Sequence, residues 1–234
     1  MAPLTDAELA ALRKFSSPTL SNAVERFGVR PRNQGFMSPE IRCIFPDLAP
    51  LVGYAVTCTV AADQPAAGTR QAARDAYWEY SQTIPGPRIC VHQDLDQPPM
   101  VGAFFGDVNS NVHKALGFVG AITNGSVRDL SEVHALGFQF FAPGPSVSHA
   151  YVHIVDFGTP VKVGGLLVHP GDLLHADQHG VLLIPQEIAR DVAAVAAEIE
   201  ALERRLIIYC QSPDFTLAGL KPLFKEVRAK IEWK

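Results

Sequence analysis

Three charged side chains carry the chemistry legible in this chain: Asp107, Arg128 and Asp129. Residues 108–127, twenty in all, separate Asp107 from the Arg128-Asp129 pair. That length fits one helix, one strand and two short turns, so both positions fall just past the carboxyl ends of successive strands. In open α/β sheets ligand sites gather at such strand ends, where helix N-termini present unpaired N–H groups and a partial positive charge. One guanidinium and two carboxylates in one crevice suit a small 2-oxo acid. Arg grips its carboxylate by a bidentate pair, and a carboxylate anchors a hard divalent cation that polarises the 2-keto oxygen. Plainer readings exist for the same residues: Asp107 after Gly106 has the type of a helix N-cap, and Arg128-Asp129 that of an exposed ion pair.

The elements that must position these residues follow from periodicity. Thr5 and Glu8 have capping-box spacing ahead of an apolar face at Leu9 and Leu12, and a second helix is expected over Ser17–Phe27, closed by Gly28. Val29–Pro50 holds four prolines and reads as a long ordered loop. Strand and helix then alternate: a strand near Gly53–Val60, a helix near Thr69–Ser81, and a β-rich Ile89-Cys90-Val91 run ending by Asp94. Next come a strand Met100–Phe105, a turn at Gly106-Asp107, a helix to about Leu116, a strand Phe118–Thr123, and a turn Asn124–Val127 leading to Arg128-Asp129 and another helix. Short β runs follow at Gln139–Ala142, Val152–Val155, Val161–Val163, Leu166–Val168 and Val181–Ile184, with His175–Gly180 read as a polar turn. The tail predicts a helix from Gln186 to about Leu206, then a helical stripe of Leu220, Leu223, Phe224, Val227 and Ile231, packing on its own or a neighbouring subunit. The whole reads as an α/β layer architecture in a single domain over residues 1–234.

The Gly106-Asp107 and Arg128-Asp129 elements, with the flanks Gly53-Tyr54-Ala55-Val56-Thr57, Lys114-Ala115-Leu116-Gly117, Gly125-Ser126-Val127 and Pro170-Gly171-Asp172, carry a resemblance. They resemble the Asp-x20-Arg-Asp motif of the 4-hydroxy-4-methyl-2-oxoglutarate and 4-carboxy-4-hydroxy-2-oxoadipate aldolases and, more widely, the regulator of ribonuclease activity A. The resemblance covers about residues 15–205. It implies a β/α/β sandwich of the swivelling-domain type with helical ends, homotrimers or homohexamers with sites at subunit boundaries, and a Mg²⁺ or Mn²⁺ requirement. It further implies that Asp129 anchors the metal, Arg128 binds the pyruvate end, Asp107 positions a water on the metal, and Gly106, Val108 and Asn109 cradle the substrate at a helix start. An acidic residue of a neighbouring chain completes the site in relatives, with Glu198, Glu200 and Glu203 as candidates here. Asn124 stands where many members carry Asp.

The reaction implied is a class II retro-aldol cleavage of a 4-hydroxy-2-oxo acid releasing pyruvate, with oxaloacetate decarboxylation through the same enolate. The rival is a non-catalytic regulator that docks on another protein. A menaquinone methyltransferase is disfavoured, because no Gly-rich nucleotide loop follows a strand.

Other signals narrow the class. A net charge of −4, from 20 Lys plus Arg against 24 Asp plus Glu, excludes the basic field that nucleic-acid binding requires. No apolar run approaches the roughly 20 residues that span a bilayer. Cys43, Cys58, Cys90 and Cys210 lie far apart, with no Cys-x-x-Cys pair and no signal peptide, and are expected as reduced thiols in a cytoplasmic protein. His149 with His153, and His175 with His179, have i, i+4 spacing, but neither pair sits in a clear helix or has a third ligand for zinc. Arg30, Arg32 and Asn33 lie in the proline-bearing loop as candidates to meet an acidic substrate tail.

Overall fold

The computed structural model describes residues 2–67 and 70–231. Along the chain run α1 (Asp6–Leu12), α2 (Ser17–Glu25), β1 (Arg42–Cys43), β2 (Leu51–Ala61), α3 (Arg70–Ser81), β3 (Arg88–Asp94) and β4 (Ala103–Phe105). They are followed by α4 (Asp107–Ala115), β5 (Phe118–Thr123), β6 (Ser126–Val127), α5 (Leu130–Leu136), β7 (Gln139–Ala142) and β8 (His153–Phe157). The chain continues through β9 (Val161–Val163), β10 (Leu166–Val168), β11 (Leu173–Asp177), β12 (Gly180–Ile184), α6 (Ala189–Gln211) and α7 (Leu217–Ile231). The expected helix start at Thr69 lies outside the described residues. Contacts divide the chain into a mixed unit, Gly35–Ile184, and a helical unit formed by Met1–Gln34 with Pro185–Lys234.

The mixed unit is built on a sheet of order β1-β7-β5-β3-β2-β11-β12, with β8 added beside β2. Its centre, β2, β3, β5 and β7, is parallel, and the outer pairings are antiparallel. Central parallel strands are covered on both faces, so they read as unbroken apolar runs, and alternate residues feed two cores. Ala55, Ile89, Val91 and Ile122 point to one side, packed with Val161, Val163 and Val168 of the β9–β10 hairpin. Val56, Cys58, Cys90 and Ala121 point to the other, packed with Tyr77 of α3 and Val133 of α5. This is the expected α/β layered fold.

Two expected turns are strands. Asn124–Val127 contains β6, which pairs in parallel with β4 in a separate two-stranded ribbon, and β4 itself starts at Ala103 rather than Met100. Met100 takes a left-handed φ of 76° while its N–H donates to Asp94 Oδ2 at 2.8 Å, so the segment before Ala103 is a tethered loop. His175–Gly180 is not one polar turn, because β11 runs through to Asp177 between β2 and β12, with His175 fully buried opposite Val52 and Leu182. Only Gln178-His179 turn there, held by the Asx-type bond from His179 N–H to Asp177 Oδ1 at 2.9 Å.

In the helical unit the predicted capping box closes α1: Glu8 N–H donates to Thr5 Oγ1 at 3.3 Å, and Thr5 N–H to Glu8 Oε2 at 2.7 Å. Ser16 caps α2, and Gly28, with φ of 64°, follows its end. Helix α6 outlasts the expected Leu206 and stops only where Pro213 pushes Ser212 into extended backbone, φ −77° and ψ 144°. On α7, Val227 and Ile231 are buried whereas Leu217 and Phe224 are exposed, as are Ile207 and Ile208 of α6.

Candidate active site

The β4–β6 ribbon is what brings the three charged residues together. Ala103 pairs with Ser126 and Phe105 with Val127, and Arg128 N–H donates to Phe105 O at 3.0 Å. The two chains therefore leave the ribbon side by side, one turning into α4 through Gly106 and the other into α5 through Asp129. The strand-end placement expected from spacing holds, but in this small ribbon rather than in the main sheet.

Gly106 is the N-cap of α4 and offers no side chain to bind the free N–H groups of the first turn. Asp129 supplies the acceptor from outside: Asp107 N–H donates to Asp129 Oδ2 at 2.9 Å. The positive end of α4 and Arg128, whose Nε lies 3.6 Å from the same oxygen, thus hold the Asp129 carboxylate in place. Asp129 reaches this position in left-handed backbone, φ 55° and ψ 47°, and gives no side-chain cap to its own helix α5. A non-glycine residue held there at a cost marks a position whose direction matters. Gly106 is extended, with φ of −149°, so its identity rests on space: a Cβ would collide with Asp129 Oδ2 and lie 2.9 Å from Arg128 Cγ.

Arg128 and Asp129, each about one third exposed on its side chain, line a cleft of about 190 Å³ with Ala103, Phe104, Gly106, Val108, Asn109, His149 and Val152. Five of the six sequence-predicted residues thus share one cleft. The sixth, Asp107, is not among the described residues lining it, and its Oδ1 accepts from Asn111 Nδ2 at 2.8 Å along its own helix. Asp107 is also not the N-cap. A second cleft of about 200 Å³ shares Phe104, Asn109, His149 and Val152 with the first and adds Arg74, His153 and Ile154. Sequence reasoning did not place Phe104, His149 or Val152 here. The His149 spacing was visible only as a weak zinc pattern, and what joins it to the site is tertiary.

The loop entering β4 is organised by Asp94, whose carboxylate accepts the N–H groups of Asp96 at 3.0 Å and Met100 at 2.8 Å. Burial raises the Asp94 carboxyl above its ordinary range, against the pull of those bonds. Asn124 reads both backbone groups of the same residue, accepting from Asp94 N–H at 2.8 Å and donating to Asp94 O at 3.0 Å. A carboxamide does both and an ionised carboxylate cannot, a physical reason for Asn rather than Asp at this position. Two imidazoles are buried here, His113 of α4 and His92 of β3. Desolvation pushes His92 far below its usual range and His113 down to about 4. His92 Nε2 lies 3.0 Å from the Tyr77 hydroxyl, and His113 Nδ1 lies 2.6 Å from Asn109 O.

The remaining candidates belong to the helical unit. Glu198 pairs with Arg26 at 2.8 Å, Glu200 lies 3.4 Å from Thr19 Oγ1, and Arg32 is 3.5 Å from Glu25. Burial lowers the pKa of Arg30, against the opposing charge of Glu187. The four cysteines are free thiols, and burial pushes Cys43 up to about 11. Among the described residues no helix is long and apolar enough to cross a membrane.

Residues 17–183 match the model of the RraA-like family, described as Aldolase/RraA. The chain belongs to this family. A protein of Halalkalibacterium halodurans named "Putative 4-hydroxy-4-methyl-2-oxoglutarate aldolase" is 31% identical over 148 residues, 61% of this chain and 68% of that one. Several further relatives, some with the same name, are matched over about half of their own length. Among solved structures, an uncharacterized protein from Pseudomonas syringae pv. tomato superposes with a TM-score of 0.73 at 23% identity, covering 98% of this chain and 96% of that one. Streptomyces coelicolor RraAS2, described as an unusual member of the RNase ES inhibitor RraA protein family, gives 0.67 at 23% identity, covering 88% and 98%. These two likenesses show the RraA-like fold. The family holds both proteins named as aldolases and inhibitors of a ribonuclease, so the choice between them falls to the site.

Proposed function

We propose that this chain is a divalent-cation-dependent class II aldolase that cleaves a 4-hydroxy-2-oxo acid to release pyruvate, with decarboxylation of oxaloacetate as a second activity. The observation that carries this reading is the Asp129 carboxylate, clamped through Oδ2 by the start of α4 beside the Arg128 guanidinium in a cleft of small-molecule size.

The donor chemistry fits Mg²⁺ or Mn²⁺. Both Asp107 N–H and Arg128 Nε approach Oδ2, which leaves Oδ1 to meet a cation. Among the described residues no group of three or more His, Cys, Asp or Glu side chains converges. One carboxylate completed by solvent suits a hard ion that keeps several waters, rather than zinc, which takes three or four protein ligands. When bound, such an ion supplies Lewis-acid polarisation of the 2-keto oxygen and offsets the charge that develops on it. Arg128 pairs with the substrate C1 carboxylate and sets its orientation. The first turn of α4, at Val108 and Asn109, adds N–H groups and the positive helix end to the same anion. Phe104 and Val152 form the apolar wall against the carbon chain.

Assembly into trimers or pairs of trimers belongs to the same proposal. Ile207, Ile208, Leu217 and Phe224 of the helical unit are exposed apolar side chains of the kind subunit contacts cover.

The test is a panel of 4-hydroxy-2-oxo acids and oxaloacetate, with Mg²⁺ or Mn²⁺ and with chelator, coupled to pyruvate detection. Cation-dependent pyruvate release is expected. Absence of release with every acid, or undiminished release from a fully chelated sample, would overturn the reading, and the former would favour the docking regulator.

A further inference from the structure

We propose that His149 is the proton-transfer residue of this cleft, taking the C4 hydroxyl proton during cleavage and returning it to the pyruvate carbon. This rests on the aldolase reading. It deepens that reading by naming a catalytic group that the sequence motif does not contain.

His149 is exposed, and the geometry gives its imidazole a set direction. Its Nδ1 lies 2.7 Å from Ala150 O, and a carbonyl oxygen only accepts, so Nδ1 carries the hydrogen and Nε2 presents a lone pair. Ala150 pays for this with left-handed backbone, φ 44°. The segment is also tied on both sides. Ala103 N–H donates to Ser148 O at 3.0 Å, Tyr151 N–H to Ala62 O at 3.1 Å, and Val152 N–H to His149 O at 3.0 Å. Gly102 lets it come this close, since a Cβ there would sit 2.5 Å from His149 O and 2.8 Å from Ala62 Cβ. Further back, Ser146 N–H donates to Val127 O at 2.9 Å, so the segment before His149 runs beside β6 of the ribbon that carries Arg128. The ribbon therefore holds the imidazole and the guanidinium in one frame.

The other charged groups around the two clefts are poorly suited to this task. Arg128 and Arg74 present guanidinium groups, which donate hydrogen bonds and have no acceptor lone pair. Asp129 is engaged by Asp107 N–H and Arg128, and Asp107 is engaged by Asn111. His153 lines only the second cleft, whereas His149 lines both, at their junction.

The step balances without a further reactant. Nε2 takes the proton from the C4 hydroxyl, and the O–H pair becomes the second bond of a C4 carbonyl. The C3–C4 bond breaks, and its pair passes to C3 as the pyruvate enolate. The imidazolium N–H then protonates C3 to a methyl group, which leaves pyruvate, the carbonyl fragment and a neutral imidazole. Oxaloacetate decarboxylation needs no hydroxyl deprotonation, and solvent can protonate its enolate.

The experiment compares the parent, His149→Gln, His149→Ala and Asp107→Asn in full-length, Mg²⁺-loaded protein. It follows kcat/KM for cleavage of 4-hydroxy-2-oxoglutarate and for oxaloacetate decarboxylation across pH 5–9. The expected result for His149→Gln is a loss on the order of 10²–10⁴-fold in cleavage, disappearance of the acid limb of the cleavage profile, and decarboxylation within about tenfold of the parent. Added imidazole is expected to restore part of the cleavage activity of His149→Ala. Cleavage by His149→Gln within about threefold of the parent, with its acid limb intact, would overturn the proposal. So would an equal fall of both activities without imidazole rescue, the signature of a structural role. Loss of the acid limb in Asp107→Asn alone would move the role to Asp107. A parent that releases no pyruvate from any acid defeats the aldolase reading itself, and this proposal falls with it.

Discussion

Adding one methyl group at Gly106 tests whether the site depends on the close approach seen there. The backbone at Gly106, φ −149° and ψ −161°, is open to alanine, so Gly106→Ala carries no conformational penalty and its whole effect comes from the Cβ. That atom would lie 2.9 Å from Arg128 Cγ and 3.1 Å from Arg128 Nε, and would overlap Asp129 Oδ2. Ordinary carbon contacts are about 3.5–4.0 Å, so both side chains must retreat by roughly 1 Å. Neither can do so by swinging a free end. Arg128 is hit near its root, and Asp129 Oδ2 is the acceptor for Asp107 N–H. Overpacking of this kind costs about 1–3 kcal/mol, and loss of the clamp leaves the α4 start without its acceptor. A displacement of about 1 Å at reacting groups costs on the order of 10²-fold in rate. We expect Gly106→Ala to melt several degrees lower, to exchange the Asp107 amide faster, and to lose about 10²-fold in kcat/KM for pyruvate release. Parent-like turnover together with parent-like protection of the Asp107 amide would refute the clamp and the site built on it.

Arg128→Lys should weaken binding of pyruvate or oxalate at least tenfold by calorimetry, roughly the worth of one charge-assisted hydrogen bond, because an ammonium cannot reproduce the planar two-pronged contact. Acid should destabilise the mixed unit through His113 and His92. Both stay neutral when folded and bind a proton near pH 6.5 when unfolded, so stability is complete above that pH and falls as the pH drops toward about 4 for His113. For His113 alone the loss approaches about 3 kcal/mol, to be checked by denaturant titration from pH 7 to pH 4, with His113→Phe expected to flatten the slope. Asn124→Asp replaces the donor to Asp94 O by a second acceptor and should cost about 1–3 kcal/mol, read as a lower melting temperature above pH 6 that recovers partly on acidification.

What the sequence determined by itself was local or periodic. The capping box at Thr5 and Glu8, the unbroken apolar runs of the central strands, and the strand-turn-helix rhythm around Asp107 and Arg128-Asp129 are each set within a few residues of chain. That is why those elements appear where their patterns stand. The two strands misread as turns were decided by partners far along the chain. β6 is only two residues long and exists because β4 lies beside it, and β11 keeps a buried His and Asp in a strand because β2 and β12 pair it on both sides. The site divides in the same way. Residue type and spacing were enough to nominate Asp107, Arg128 and Asp129, and the family resemblance added Gly106, Val108 and Asn109. The clamp from Asp107 N–H to Asp129 Oδ2 and the arrival of His149 on the cleft wall depend on the ribbon's register and on loops threaded beside it, whereas the Asp107 carboxylate meets Asn111 one turn along its own helix. Long-range pairing leaves no local period, so no window of the sequence records it.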